Sequence, residues 1–215
     1  MDASIIQKIT VYAIPLIFAI TLHEAAHAYA ARYFGDSTAY MLGRVTLNPL
    51  KHIDPVWTIL VPILTLLVSP FVFGAAKPVP VNFGALRNPK RDMIWVAAAG
   101  PLANLAMMVA WALLGKIAIT LDASGPTYFL ALMAEAGILV NALLMVFNLF
   151  PLLPLDGGRI LTGLLPDRLA HAFARTEPYG MLILIALIVT GILGQFMWPL
   201  VDISMKSIYA IIGLS

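Results

Sequence analysis

The chain of 215 residues contains no cysteine and few charged residues. Without cysteine it can form neither a disulfide nor a thiolate metal site, so histidine and carboxylate side chains would have to hold any metal. Charged residues make up 11% of the chain and apolar residues 61%, whereas about a quarter of an ordinary soluble domain is charged. A soluble fold this small keeps too much surface to cover so many apolar residues. The composition therefore predicts one integral-membrane domain, residues 1–215, in a lipid bilayer.

Neither positive nor negative charge is in large excess. The formal net charge is +2, and neither acidic nor basic residues form a long block. No nucleic-acid partner is therefore expected. The first apolar run is too long for the core of a signal peptide, and it contains His23, Glu24 and His27. We therefore interpret it as part of the mature protein.

Long apolar runs dominate the sequence and are typical of membrane-spanning helices. They predict an all-α polytopic membrane protein with about five to six transmembrane helices. The runs lie at residues 5–33, 56–75, 93–119, 129–153 and 180–198, with a shorter one at 203–214.

Two segments alternate between apolar and polar residues and predict a small membrane-associated β-sheet or extended region. In residues 41–48, apolar side chains stand at 41, 45 and 47. In Lys77–Phe83, Val79 and Val81 alternate with Pro78 and Pro80. Because proline lacks an N–H, the second segment can only be an edge strand or an extended stretch.

The pentapeptide His23-Glu-Ala-Ala-His27 matches the H-E-x-x-H pattern of zinc enzymes. Histidines four apart share one helix face and can bind one ion, while Glu24 can reach a water molecule on it. Three ionisable groups inside an apolar run usually face a partner or a watery cavity. The alternative is a pair of hydrogen-bonded core histidines, which would leave three polar groups to satisfy without a metal.

A hydrolytic zinc site needs a third protein ligand and one open position. Asp156 is the preferred candidate, because Pro151, Pro154 and the following glycines interrupt the helix and can turn its carboxylate inward. The alternative for Asp156 is a role as a helix cap. Four further residues are less favoured as the third ligand: His52, Asp54, Glu135 and His171.

Three motifs in this order resemble the site-2 protease family of intramembrane zinc metalloproteases. They are His23 to His27, Ala99-Gly100-Pro101-Leu-Ala-Asn104, and Asn148 to Gly157. The third resembles the family pattern N-x-x-P-x-P-x-x-D-G, except that Leu153 replaces the second proline and Pro154 follows it. The resemblance covers about residues 15–165.

The resemblance implies one zinc ion per chain, bound by His23, His27 and Asp156. It also implies that Glu24 activates water and that Asn148 positions the substrate or stabilises the oxyanion. The strand region before residue 90 would receive an unwound substrate. Gly100 and Asn104 share a helix face, which either packs closely against another helix or faces the active site.

Basic residues indicate the orientation in the membrane. Lys and Arg occur in residues 76–92 and 154–179 but not in 120–128, so the first two segments are predicted to be cytoplasmic. Asp156 then lies at the cytoplasmic side of the membrane. The histidines can reach the same depth only if the first run also crosses toward the cytoplasm. The segments on either side of 56–75 would share one side of the membrane, so 56–75 would re-enter or lie at the interface, as Pro55, Pro62 and Pro70 allow.

The sequence thus predicts a multi-pass zinc endopeptidase of the cell membrane, with its active site toward the cytoplasm. Its substrates would be single-span membrane proteins, cleaved in or near the transmembrane helix during regulated intramembrane proteolysis or removal of signal-peptide remnants. Two alternatives remain open: a metal-ion transporter that uses the His, Glu and Asp cluster as an ion path, and a catalytically inactive scaffold that binds membrane helices.

Overall fold

The computed structural model describes residues 5–51, 78–121 and 124–213. Three helices in these ranges are long and apolar enough to cross a membrane. They are α1 (Ile5–Tyr33), α3 (Pro89–Leu121) and α4 (Gly125–Asn148), separated by a short helix α2 (Thr38–Met41) and other segments. The chain is therefore a multi-pass membrane protein built mainly from helices.

Four more helices follow α4: α5 (Asp156–Leu164), α6 (Asp167–Ala174), α7 (Glu177–Val189) and α8 (Ile192–Ile212). The pair α6 and α7 is bent by 64° and counts as a fourth span only if it is one broken helix. The described ranges thus hold three candidate spans, or up to four, and the predicted five to six are not confirmed. The predicted segment 56–75 lies outside the described residues.

The C-terminal helices begin and end at different residues from those predicted. The sequence predicts spans at 180–198 and 203–214, but α7 ends at Val189 and α8 runs from Ile192 to Ile212. Gly191 separates them with a φ of 73°, a left-handed conformation that glycine adopts without strain. Pro199 inside α8 does not end that helix.

The predicted β-sheet is not confirmed, since no described residue is assigned to a strand. For residues 41–48 the strand prediction is wrong. Met41 ends α2, Gly43 has a φ of 65°, and Arg44 N–H donates to the Ala39 carbonyl, so the chain turns where the alternation suggested extension. Residues 78–82 form neither helix nor strand, Asn82 has an extended backbone, and a short 3₁₀ turn, Phe83–Ala85, follows.

The core lies where α3, α4 and α8 pack together, around Met108, Trp111, Ile138 and Val201. Glycine allows the closest approach: a Cβ on Gly137 of α4 would lie 2.4 Å from the Trp111 ring of α3. Small residues at such contacts let membrane helices pack by van der Waals forces. The same packing brings α1 against α3 and α4, and this positions the polar residues described next.

Candidate metal centre

Two buried histidines lie next to each other on α1. His23 and His27 are 6% and 9% exposed, and their Nε2 atoms are 3.1 Å apart. The rings meet edge to face, with centroids 4.7 Å apart. Residues four apart stack on one face of a helix, so the local sequence alone brings the two imidazoles together.

The third member of the cluster is Asp156, the first residue of α5. Its Oδ2 atom lies 3.3 Å from Nε2 of His23 and 3.3 Å from Nε2 of His27. The oxygen is buried and accepts no hydrogen bond from any described residue. The bend in the loop 149–155 between α4 and α5 turns this carboxylate toward α1.

Hydrogen bonds on the far side of each imidazole determine which nitrogen carries the proton. His27 Nδ1 lies 2.7 Å from the Val96 carbonyl oxygen, which can only accept. His23 Nδ1 lies 2.7 Å from Oδ1 of Asn104. Both Nδ1 atoms therefore donate, so each Nε2 directs a lone pair into the cluster.

A second asparagine fixes the orientation of Asn104. Nδ2 of Asn104 donates to Oδ1 of Asn141 at 2.9 Å, and Nδ2 of Asn141 donates to the Gly137 carbonyl at 2.8 Å. Both amides are fully buried. A backbone carbonyl thus sets the direction of the whole chain of bonds and leaves Oδ1 of Asn104 to accept from His23. Such second partners orient metal-binding histidines and raise their basicity.

The cluster fits a zinc ion. Two imidazole nitrogens and one carboxylate oxygen converge with lone pairs, and without a cation between them they would repel. In tetrahedral zinc, bonds of about 2.0–2.1 Å place the ligand atoms about 3.3 Å apart. The observed separations are 3.1, 3.3 and 3.3 Å. These three residues would hold the ion and would leave a fourth position free for water or substrate, as in catalytic zinc sites.

Gly100 of α3 packs directly against the two imidazoles. A Cβ added there would lie 2.4 Å from Nε2 of His27 and 2.7 Å from Nε2 of His23. The sequence left two interpretations of this helix face, close packing against another helix or a position facing the site, and both hold. Gly100 allows close packing at the cluster itself, and Asn104, one turn later, bonds to His23 and to α4.

Glu24 lies beside the cluster and is oriented by the segment 78–82. Its Oε2 accepts the Val79 N–H at 2.8 Å. At the other end of the segment, Asn82 N–H donates to the buried Asp36 at 2.7 Å. Two carboxylates from α1 and the turn after it therefore hold this segment in place.

Glu24, Asn148 and the metal cluster line one cavity of about 350 Å³. Asn148 ends α4, and its amide nitrogen donates to the Leu144 carbonyl at 2.9 Å. A larger cavity of about 420 Å³ between α1 and α3 is lined almost entirely by apolar side chains, among them Leu22 and Met107, and offers no comparable chemistry.

The less favoured candidates do not join the cluster. His171 is exposed, and its Nδ1 lies 2.6 Å from the Asp167 carbonyl. Glu135 is exposed on α4, while His52 and Asp54 lie outside the described residues. At the start of α3, Lys90 Nζ lies 2.5 Å from Oδ1 of the exposed Asp167, the first residue of α6, and lowers the pKa of that carboxyl group.

Sequence reasoning missed Asp36, Asn141 and Arg159. Asp36 precedes a helix start and resembles a helix cap in the sequence. Asn141 is a single amide in an apolar run, and nothing in the sequence indicates its hydrogen-bond partner. Arg159 lines the cavity, forms a bidentate ion pair with Glu177 and lies over the Phe83 ring, its guanidinium carbon 5.2 Å from the ring centroid. Its position one turn after Asp156 was the one available signal.

Proteins named as putative zinc metalloproteases are similar to this chain over most of its length. The model of Peptidase family M50 matches residues 113–191. "Putative zinc metalloprotease YwhC" of Bacillus subtilis is 37% identical, over 91% of this chain and 87% of its own. "Putative zinc metalloprotease Rip2" of Mycolicibacterium smegmatis is 31% identical, over 86% of this chain and 69% of its own. The Mycobacterium tuberculosis protein of that name is 26% identical over the same shares. No solved structure matches the chain.

Proposed function

The chain belongs to peptidase family M50, the site-2 protease family, and from this premise we propose that it hydrolyses a peptide bond in or next to the transmembrane helix of a membrane-tethered substrate. Family membership makes the protein a membrane zinc metalloprotease. The observation that supports the rest of the proposal is the convergence of three lone-pair atoms in a cavity between helices.

His23, His27 and Asp156 hold one zinc ion per chain in this proposal. Zinc supplies Lewis acidity, which polarises a carbonyl group and makes water a better nucleophile near neutral pH. Asn104 and the Val96 carbonyl keep both imidazoles in the tautomer that can bind it. Gly100 leaves the space that the two imidazole rings need beside α3.

Glu24 is the general base and acid of the proposed reaction. It takes a proton from the attacking water and delivers it to the nitrogen of the departing amine. The Val79 N–H occupies Oε2 and fixes the carboxylate plane, which leaves Oε1 to exchange the proton.

Asn148 binds the substrate carbonyl in this mechanism. One N–H of its amide donates to the Leu144 carbonyl, and since an amide group carries two N–H bonds, the other can donate to the oxyanion. The bond to Leu144 restricts the rotation of the amide, so it is held ready before the substrate arrives.

The segment 78–82 binds the substrate in an extended conformation. A helical peptide shields its carbonyls by hydrogen bonding, so the substrate must unwind before attack. Pairing with an extended edge would hold the unwound peptide straight, and Val79 and Val81 line the cavity beside the cluster. The proposed partners are single-span membrane proteins in the lipid bilayer, and the basic segments 76–92 and 154–179 support an active site toward the cytoplasm.

Reconstituted protein provides the test. The full chain in liposomes is incubated with a panel of single-span substrates, and cleavage is followed by gel electrophoresis and mass spectrometry. Cleavage is expected for the unmodified chain and is expected to disappear in Glu24→Gln, with bound zinc retained. Glu135→Gln removes a carboxylate of α4 outside the cavity and is the matched control, with activity unchanged.

Three results would overturn the proposal. Equal cleavage by the Glu24→Gln protein would mean a contaminating protease or another mechanism. Zinc flux across the liposome membrane without cleavage would instead favour the transporter, which the metalloprotease relatives do not favour. Substrate binding without cleavage by a zinc-loaded chain would favour the inactive scaffold.

A further inference from the structure

Backbone atoms approach the loop 149–155, which leads into Asp156, unusually closely from two sides. On the α5 side, a Cβ on Gly157 would lie 2.2 Å from the Leu149 carbonyl oxygen. On the α7 side, a Cβ on Gly180 would lie 1.8 Å from the Leu153 carbonyl oxygen. Leu153 is fully buried. The loop that ends at Asp156 is thus enclosed between α5 and α7.

An ion pair ties α7 to α5 at this point. Arg159 lies one turn after Asp156 on α5 and binds both carboxylate oxygens of Glu177, the first residue of α7. Gly180 follows Glu177 by one turn, so the ion pair and the close contact lie on the same end of α7. Separating this end of α7 from α5 would break the ion pair.

We propose that α7 holds the loop 149–155 in place and that Gly180 is a positioning residue for Asp156. Because Gly180 has no side chain, the Leu153 backbone can pack directly against α7. The distance between this backbone and α7 then determines where Asp156 Oδ2 lies relative to the two imidazoles. The inference rests on the proposed function only in taking Asp156 as a metal ligand.

The required movement is large compared with the tolerance of a metal site. Real Cβ atoms essentially never come within 3.0 Å of such a neighbour. A methyl group at Gly180 therefore has to push the Leu153 carbonyl away by about 1.2 Å, whereas metal–ligand distances tolerate about 0.2 Å. Because Asp156 follows three residues later, we expect zinc affinity to fall by about 10- to 100-fold, as for residues that orient metal ligands.

Zinc affinity of the Gly180→Ala protein tests the inference. The full chain is purified in detergent, stripped with a chelator and titrated with zinc against a chromophoric competitor, and the melting temperature of the zinc-free protein is measured in parallel. Gly194→Ala on α8 is the matched control, since a Cβ there meets its nearest neighbour at an ordinary 3.8 Å. We expect weaker zinc binding for Gly180→Ala and unchanged binding for Gly194→Ala.

A second variant removes the ion pair between α5 and α7 without adding side-chain volume. Glu177→Gln breaks the charge pair with Arg159 and should also weaken zinc binding. Its control is Asp202→Asn, which breaks the exposed Asp202–Lys206 pair on α8 and should leave zinc binding unchanged. Cobalt substitution reports the geometry directly, because the visible absorption of a tetrahedral cobalt site should change in both α7 variants and in neither control.

Unchanged zinc affinity in the two α7 variants would overturn the inference, including the case in which only their melting temperature falls, since that would indicate a purely structural role. Zinc binding is measured without substrate, so its outcome is independent of cleavage. An unmodified chain that binds zinc but cleaves nothing would contradict the proposed function and leave this inference standing.

Discussion

Replacing Gly100 by alanine should weaken zinc binding while leaving the helices folded. The new methyl carbon would lie 2.4 Å from Nε2 of His27 and 2.5 Å from Cε1 of His23. Both contacts involve the imidazole edges that form the cluster, so the methyl group cannot be accommodated without moving at least one ring.

The size of the effect follows from these distances. Restoring an ordinary contact of 3.4 Å requires the His27 ring to retreat by about 1 Å, five times the tolerance of about 0.2 Å in a metal–ligand bond. The His27 ring cannot retreat freely, because Nδ1 is bonded to the Val96 carbonyl. We therefore expect zinc affinity to fall by about 100-fold, the upper end for a residue beside a metal ligand.

The assay is zinc titration of the purified, chelator-stripped chain against a chromophoric competitor, with circular dichroism to follow the helices. Gly115→Ala on the same helix is the control. A Cβ there would meet Ala134 at 3.1 Å, so this variant disturbs helix packing away from the cluster. If Gly100→Ala bound zinc as tightly as the unmodified protein, the placement of α3 against the histidines would be refuted.

Further predictions concern the residues around the cluster. Asn104→Ala should lower zinc affinity by about 10- to 100-fold because His23 loses its orienting acceptor, and equal affinity in competitor titrations would contradict the hydrogen-bond chain. Asn148→Ala should lower kcat by about 10²- to 10³-fold with zinc still bound, and an effect on KM alone in steady-state kinetics would remove it from oxyanion binding. Asp36→Asn should lower kcat by misplacing Glu24 through segment 78–82, with metal content unchanged; full activity would disprove that coupling.

The sequence predicts the helices of the site better than the segments between them. Apolar runs of membrane length correspond to α1, α3 and α4, because such a run and its helix are local properties. The alternation in 41–48 misled, because a single left-handed glycine, Gly43, turns the chain regardless of its neighbours. The break between α7 and α8 likewise depends on one residue, Gly191, inside a run that hydropathy treats as continuous.

The sequence by itself determined that the protein lies in a membrane and that two imidazoles share a helix face, since composition and helical periodicity act within a few residues. The tertiary structure alone decided that Asp156 meets those imidazoles, that Asn104 and Asn141 orient one of them, and that Gly100 and Gly180 leave the necessary space. These relations join residues far apart in the chain. They depend on distances of a few ångströms between helices, which only the packing of all the helices together sets.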